Sequence, residues 1–218
     1  MRVVTQARQH SNRPVHYVTP GININRWTQE GSIESIPPFR ILMASAPHSR
    51  DQFESKQIYL LIDYLRLHKD IEVTLLWRGV DAAYMRQLIE QNDLQRQVNL
   101  VDNKVDIQGY YDTHHATILL CDQDGVIKNY PHSLMESICC DRPVILNSSI
   151  ELSSMVDKHT LGVVLEDCTI HSLKESIAKL KTDYSQYHKN CKSFDTSLID
   201  QVNYHDNLMR IYENVIKS

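Results

Sequence analysis

The sequence has little of several features that would each point to a class of protein. Only 6 glycines and 7 prolines occur among 218 residues, which excludes a collagen-like or Pro/Gly-rich low-complexity chain. Lys and Arg together number 23 against 27 Asp and Glu, for a formal net charge of -4. Because nucleic-acid binding usually needs a positive field, we expect no nucleic-acid partner.

Long apolar segments are missing as well. The longest runs, 116–121 (ATILLC) and 73–77 (VTLLW), fall far below the roughly 18 residues that a transmembrane helix requires. The first 14 residues contain no apolar core of signal-peptide length. These absences predict a cytoplasmic protein without a transmembrane segment, and they are compatible with peripheral contact at the inner face of a membrane.

The cysteine and histidine spacings of common metal and disulfide sites are also absent. The 5 cysteines form no C-x-x-C pair and no disulfide-framework spacing, so we expect buried, reduced thiols. Among the 11 histidines, His114 and His115 are adjacent, but no H-x-x-x-H or H-E-x-x-H motif occurs. The sequence therefore predicts no metal site and no bound cofactor.

The sequence does contain a regular alternation of apolar runs and segments with helical periodicity. The predicted strands are 40–45, 71–77, 97–101, 116–121, 143–147 and 161–165, and the predicted helices are 53–68, 82–91, 105–113, 131–140, 170–182, 184–191 and 196–217. Strands that alternate with helices over short links predict an α/β fold with a Rossmann-like, doubly wound parallel sheet.

The two ends of the chain do not follow this alternation. Residues 3–5 and 15–18 are strand-like without a following helix, and Gly21 and 32–38 have the composition of a turn and a linker. We therefore predict three parts: 1–38 as the remnant of an N-terminal domain with its linker, 39–195 as the Rossmann-like domain, and 196–218 as a separate C-terminal helix.

One candidate site is the segment Asn129–Asp141 (NYPHSLMESICCD), which follows a predicted strand and a loop. In a parallel sheet this order places a helix N-terminus, with free N–H groups and the positive end of its dipole, at the carboxyl edge. Such a site suits a diphosphate bound by the amides of Ser133 and Leu134, with Glu136 accepting hydrogen bonds from ribose hydroxyls. Alternatively, Ser133 and Glu136 form a capping box and serve only the helix.

Two cations form a second candidate site. Arg50 and Lys56 follow the first predicted strand, six positions apart in the segment SAPHSRDQFESK. Side chains at this edge can flank a phosphate that is bound at the neighbouring helix. The alternative is that both are ordinary solvated residues of a loop.

The order of these motifs resembles the carboxy-terminal, donor-binding domain of group 1 (family 4 type) retaining glycosyltransferases, which have the two-domain GT-B fold. The most specific part is KNYPHSLMESICCDRPVI, which is similar to the family's E-G-F-P-x-S-L-x-E-A-x-A-x-G-x-P-V-I. The segments VTLLWRG, VNLVDN, YY, ATILLC and LGVVL follow the family's order, and YVTPGIN is similar to its interdomain connector.

The resemblance implies a role for each candidate residue. Arg50 and Lys56 would neutralise the donor diphosphate as it becomes the leaving group. Ser133 and Leu134 would bind it through their amides, and Glu136 would bind the ribose. No metal ion would be required.

This sequence also departs from the family pattern. The first glutamate of the family's paired-glutamate motif is replaced by Lys128. This lysine would add positive charge for the phosphates, change the donor preference or mark an inactive site. Asn129 and His132 flank the helix start and are expected to contact the donor. Gln57 and Asp141 occupy positions where the family commonly has glycine.

The resemblance implies that the complete enzyme transfers a hexose-like unit from a nucleoside diphosphate sugar to a glycan or lipid-linked acceptor in polysaccharide biosynthesis. Since a GT-B active site lies between two domains, the chain would need an N-terminal acceptor domain or a partner subunit. The final helix would cross to that domain, with an apolar face of Leu198, Val202, Leu208, Ile211 and Tyr212.

Two other functions fit the sequence. The chain is alternatively a non-catalytic or split-enzyme subunit that binds a nucleotide sugar, which the substitution at Lys128 favours. A nucleotide-sugar epimerase of the same architecture is a weaker alternative, because its characteristic carboxylates are not recognisable.

Overall fold

The computed structural model describes residues 15–28, 38–122 and 129–216, and its six strands form a single sheet. The strands are β1 (Phe39–Met43), β2 (Ile71–Leu76), β3 (Val98–Val101), β4 (Ala116–Leu119), β5 (Val144–Asn147) and β6 (Gly162–Leu165). Their order is β3-β2-β1-β4-β5-β6, and all neighbouring pairs are parallel. This is the order of a doubly wound Rossmann sheet, so the predicted fold class is confirmed.

Helices connect the strands. They are α1 (Gln52–Ser55), α2 (Ile58–Leu67), α3 (Ala82–Gln91), α4 (Gln108–Thr113), α5 (His132–Cys139), α6 (Ser153–His159), α7 (Ile170–Thr182), α8 (Tyr184–Ser193) and α9 (Gln201–Ile216), with 3-10 turns at Ile24–Arg26 and Thr196–Ile199. None of the helices in the described part of the chain is long and apolar enough to cross a membrane.

The core lies on both sides of the sheet, as a parallel sheet covered by helices requires. All four residues of β4 and all four of β5 are buried. Helix α2 buries Leu61, Ile62 and Leu65, and α7 buries Leu173, Ile177 and Leu180. Each such side chain contributes about 1.5–3 kcal/mol when it leaves water. The sheet is thereby held firmly enough to position the loops at its carboxyl edge.

Several element predictions were wrong in detail. The predicted helix 53–68 is two helices, because Gln57 has φ 55° and interrupts the helix after Lys56. The predicted helix 196–217 is a 3-10 turn followed by α9, with extended backbone at Asp200. Helix α6 was not predicted. Residues 15–18 form no strand, and the strand-like residues 3–5 lie outside the described residues.

The described residues group into two compact units. The larger one spans 27–194, and the smaller one consists of 15–26 with 195–216. In the smaller unit the Ile22 amide donates to the Ile199 carbonyl and the Gln201 amide to the Ile22 carbonyl, both at 2.8 Å. A Cβ at Gly21 would lie 2.4 Å from the Asp200 backbone, so only glycine fits there. Helix α9 has no buried residue.

The predicted apolar face of the C-terminal helix is confirmed as largely exposed. Leu198, Val202 and Tyr212 are exposed by 45%, 54% and 55%, and Leu208 and Ile211 are half-buried. In an isolated globular domain a helix normally buries such a face.

The adjacent histidines lie in the core of the larger unit. His114 is buried, with Nε2 2.8 Å from Thr74 Oγ1 and Nδ1 2.8 Å from the Tyr110 carbonyl. The His115 Nδ1 accepts the Arg40 amide at 2.9 Å. Both side chains therefore satisfy backbone and hydroxyl groups inside the fold.

We predict that His114 makes stability depend on pH. Burial lowers its pKa from 6.5 to about 4, so the unfolded chain binds a proton in this range that the folded chain excludes. Stability should rise with pH from 4 to 6.5 and be lost as the pH falls, by about 3 kcal/mol in total. Urea unfolding at several pH values should show this slope for the wild type and a flatter one for His114→Gln. The same slope in His114→Gln as in the matched variant His205→Gln would contradict the prediction.

We also predict that Gln57→Gly stabilises the protein. Gln57 has φ 55° and ψ 33°, a left-handed conformation that costs a residue with a Cβ about 1–2 kcal/mol. Glycine relieves this strain but loses more backbone entropy on folding, so the net gain should be at most about 1 kcal/mol. Thermal unfolding measures it. Gln57→Ala keeps the strain and should give no gain, so equal stabilisation by both variants would rule out this explanation.

Candidate functional site

The candidate site lies where the order of the strands reverses. Strands β1 and β4 are neighbours, but the chain continues from β1 towards β2 and from β4 towards β5. The loops after β1 and β4 therefore diverge and leave a crevice at the carboxyl edge, which is where ligands bind in open α/β sheets. The β4 loop is joined to the end of α1 by the Asp122 amide, which donates to the Ser55 carbonyl at 3.0 Å.

The start of the β4 loop is held from β5. The Asn147 side chain accepts the Cys121 amide at 2.9 Å and donates to the Cys121 carbonyl. Residues 123–128 then lie outside the described residues, and with them the predicted site residue Lys128. The chain resumes at the exposed Asn129, whose carbonyl accepts the Leu152 amide at 3.1 Å.

Lys56 is a buried cation at this edge. It is only 5% exposed, and its Nζ donates to the Ala46 carbonyl at 2.8 Å and to Ser45 Oγ at 3.3 Å. Burial lowers its pKa. The alternative in which Lys56 is an ordinary solvated residue is therefore wrong. A desolvated ammonium held by neutral oxygens retains a strong attraction for an anion.

Arg50 is held in a different way. Its side chain is about half exposed, its Nε donates to Asp81 Oδ2 at 3.0 Å, and its guanidinium lies 3.5 Å from the centre of the Tyr84 ring. The hydrogen bond that Arg50 donates to Asp81 raises the pKa of Arg50. The site thus has one buried cation, Lys56, and one half-exposed cation, Arg50, whose side chain is ordered by its neighbours.

The third component is the N-terminus of α5. Pro131 is the N-cap and α5 begins at His132, with no capping hydrogen bond from a side chain. The amides of Leu134 and Met135 donate to the Pro131 carbonyl at 3.1 and 3.2 Å. Within the described residues the amides of His132 and Ser133 have no such partner, so they are better placed than Leu134 to bind an anion.

Glu136 is fixed by a tyrosine that sequence reasoning did not single out. The buried Tyr111 on α4 donates its hydroxyl to Glu136 Oε2 at 2.9 Å, and the same hydroxyl lies 3.1 Å from the Ser133 carbonyl. Burial, followed by the Glu136 charge, raises the pKa of Tyr111 well above its usual value. Since Glu136 pairs with Tyr111 and Ser133 lies inside the first turn, the capping-box alternative is wrong.

Tyr111 is itself held from two sides. Its carbonyl accepts Arg142 Nε at 2.8 Å, and its ring packs edge-on against Trp27 with centroids 5.6 Å apart. In the sequence, Tyr111 is simply one of two adjacent tyrosines before β4. Periodicity could not tell which of them points inward, because α4 is only six residues long.

The structure explains why glycine is common at the two positions where this chain has another residue. Gln57 and Asp141 have φ 55° and 59°, so both adopt the left-handed conformation in which glycine is least strained. These positions shape the turn after Lys56 and the end of α5.

Comparison with known proteins identifies the family. Residues 49–195 match the family model described as glycosyl transferases group 1. The chain belongs to this family. The match contains both cations, the N-terminus of α5 and Glu136. No curated protein sequence matches the chain at a significant level.

Solved glycosyltransferase structures share the fold. The sucrose-phosphate synthase from Thermosynechococcus elongatus has a TM-score of 0.72 at 15% identity, over 91% of this chain and 52% of its own. The Anabaena protein HepE, in complex with UDP-glucose, has a TM-score of 0.72 at 15% identity, over 89% and 56%. A glycosyltransferase from Rickettsia africae has a TM-score of 0.70 at 15% identity, over 84% and 49%. The chain thus spans about half the length of these proteins.

We predict that Tyr111→Phe destabilises the larger unit, residues 27–194. The substitution removes the hydroxyl that donates to Glu136 Oε2 and lies 3.1 Å from the Ser133 carbonyl, and a hydrogen bond to a charged group contributes about 1.5–3 kcal/mol. The free energy of unfolding in urea should fall by about 1–2 kcal/mol. Tyr110→Phe on the same helix is the matched control and should change it by less than about 0.5 kcal/mol. Equal effects of the two variants would show that the hydrogen bonds of the Tyr111 hydroxyl do not stabilise the fold.

Proposed function

We propose that this chain is the donor-binding half of a glycosyltransferase, and that it binds a nucleoside diphosphate sugar in the crevice between the β1 and β4 loops. The observation that carries the proposal is the buried Lys56 at the end of α1, whose Nζ donates to the Ala46 carbonyl in the loop after β1. Strand β1 is the neighbour of β4, which leads into the N-terminus of α5. This combination concentrates positive potential at the strand reversal, and ligands of open α/β sheets bind at such a reversal, which supports an anionic ligand in this crevice.

The same groups can stabilise a leaving diphosphate. Negative charge develops on the diphosphate as its bond to the sugar breaks, and fixed donors that wait at that position lower the barrier. Lys56, Arg50 and the amides of His132 and Ser133 would supply these donors. Because two cations and a helix dipole act together, the reaction would need no metal ion. Retention at the anomeric carbon is the stereochemistry implied by the family resemblance.

Glu136 would recognise the ribose. A carboxylate accepts hydrogen bonds from two neighbouring hydroxyls, and Tyr111 holds one of its oxygens so that the group does not need to be ordered on binding. The crystallised complex of HepE with UDP-glucose supports a nucleoside diphosphate sugar as the ligand class. Asn129 and His132, both exposed at the start of α5, are further candidates for donor contacts.

The complete activity would require a second half. The chain spans about half of its structural relatives, and α9 presents an exposed apolar face. An N-terminal acceptor domain or a partner subunit would cover this face and bring the glycan or lipid-linked acceptor. We place this reaction in polysaccharide biosynthesis, in the cytoplasm or at the inner face of the membrane.

A second candidate function is a nucleotide-sugar-binding subunit that does not itself catalyse transfer. The presence of Lys128 in place of the family's first glutamate favours it. Lys128→Glu distinguishes the two: together with a partner half, it should raise transferase activity if the lysine has silenced the site. It should lower activity if the lysine takes part in donor binding.

We predict saturable binding of one nucleoside diphosphate by the chain. Calorimetric titration with UDP, GDP and their common sugar conjugates should identify the base. Arg50→Ala, Lys56→Ala and Glu136→Ala should each raise the Kd by about tenfold or more, because each removes a hydrogen bond to a charged group. Lys56→Met keeps the volume of the side chain and replaces Lys56→Ala if that variant unfolds.

Matched controls lie at or near the C-terminal ends of helices that run from the carboxyl edge of the sheet towards its opposite edge. Arg66→Ala, Lys158→Ala and Glu90→Ala remove the same charges from exposed positions and should leave the Kd unchanged. If all three site variants bind as the wild type does, the proposed site is wrong. If the wild type binds none of the nucleotides, the donor-binding function is wrong for this chain.

A further inference from the structure

The loops after β1 and β2 are fastened together beside Arg50. The Val80 amide donates to the Pro47 carbonyl at 3.2 Å, and Trp77 Nε1 donates to the Val80 carbonyl at 2.9 Å. A Cβ at Gly79 would lie 1.9 Å from the Pro47 carbonyl oxygen, so only glycine permits this approach. These contacts determine where the next residue, Asp81, stands relative to the β1 loop.

Asp81 and Tyr84 contact the guanidinium of Arg50 in two different ways: Asp81 accepts a hydrogen bond in its plane, and the Tyr84 ring packs against one of its faces. Asp81 precedes α3 with φ 60°, and its Oδ2 accepts Arg50 Nε at 3.0 Å. Tyr84, in the first turn of α3, lies under one face of the guanidinium, and its hydroxyl is 3.3 Å from that of Tyr59. The in-plane hydrogen bond uses only Nε, so the two Nη groups carry the other four donors.

We propose that Asp81 and Tyr84 are positioning residues, which hold Arg50 so that its Nη groups meet the diphosphate of the donor. This inference rests on the proposed function. Neither residue would touch the donor. A long, exposed arginine loses considerable conformational entropy when a ligand orders it. An arginine that is already ordered by a carboxylate and a ring avoids most of this cost when the ligand binds.

The sign of the effect distinguishes this role from plain electrostatics. Asp81 places a negative charge next to the cation that would bind an anion. If the carboxylate only repelled the diphosphate, or competed with it for Arg50, its removal would tighten binding. If it positions Arg50, its removal weakens binding even though the site becomes more positive.

The experiment compares two substitutions that the left-handed backbone at Asp81 tolerates. Asp81→Gly removes the charge and the acceptor, whereas Asp81→Asn removes only the charge and keeps an oxygen that can accept Arg50 Nε. Calorimetry at fixed ionic strength should give a Kd for UDP or GDP about fivefold or more weaker in Asp81→Gly, with at least half of that factor recovered in Asp81→Asn. Asp93→Gly is the matched control, because Asp93 is an exposed aspartate with φ 53°.

A double-mutant cycle tests whether Asp81 acts through Arg50. In the Arg50→Ala background, Asp81→Gly should cause no further weakening, because the residue that Asp81 positions is gone. Further weakening by the same factor would mean that Asp81 acts on the fold, and would overturn the proposal. Binding by Asp81→Gly as tight as the wild type's, or tighter, would overturn the positioning role while the donor site stands. Failure of the wild type to bind any diphosphate would overturn both.

Discussion

The sheet changes the direction in which its strands are added between β1 and β4, and the candidate site depends on this reversal. The chain leaves β1 towards one edge and β4 towards the other, so no crossover covers the point where both strands end. The segment with Arg50 and Lys56 is far in sequence from the N-terminus of α5, and the two lie side by side only because β1 and β4 are hydrogen-bonded neighbours. A different strand order with the same elements would separate them.

The two cations represent two solutions to one physical problem, which is to keep positive charge in place before the anion arrives. Lys56 is buried, so its charge is poorly screened, and the carbonyl of Ala46 and the hydroxyl of Ser45 replace part of its water. Arg50 stays half exposed, and its charge is ordered by Asp81 and the Tyr84 ring. Burial strengthens the attraction of Lys56 for an anion at short range. The contacts of Arg50 with Asp81 and Tyr84 fix the orientation of its guanidinium.

The carboxylate of Glu136 is positioned by the same logic. Tyr111 ties Glu136 on α5 to α4, and Arg142, which precedes β5, ties α4 to the next element through the Tyr111 carbonyl. A site built on packed helices and strands holds its side chains more closely than a loop does. This arrangement includes backbone strain, because Gln57 and Asp141 both have a left-handed backbone in the turns that follow Lys56 and α5.

Much of this arrangement could be predicted from residues alone. The parallel sheet followed from buried apolar runs between helical stripes, and every predicted strand of the alternating region is present within two residues at either end. The segment around Pro131 predicted a helix N-terminus, because a proline fits the start of a helix and Glu136 follows one turn later. These are local signals, carried by residues that are close together in the chain.

Local sequence signals therefore establish the order and kind of the elements, the resemblance to the family and the charged residues after β1 and in α5. Which of these residues meet depends on how the chain folds. Lys56 became a buried cation because the end of α1 lies against the loop after β1, where Ser45 and the Ala46 carbonyl accept hydrogen bonds from its Nζ. Tyr111 became the partner of Glu136, 25 residues away, because the fold brings α4 next to α5. Asp81 joined Arg50, 31 residues away, because β2 pairs with β1. Such contacts depend on strand order and backbone close approach, and periodicity within a single segment carries no information about either.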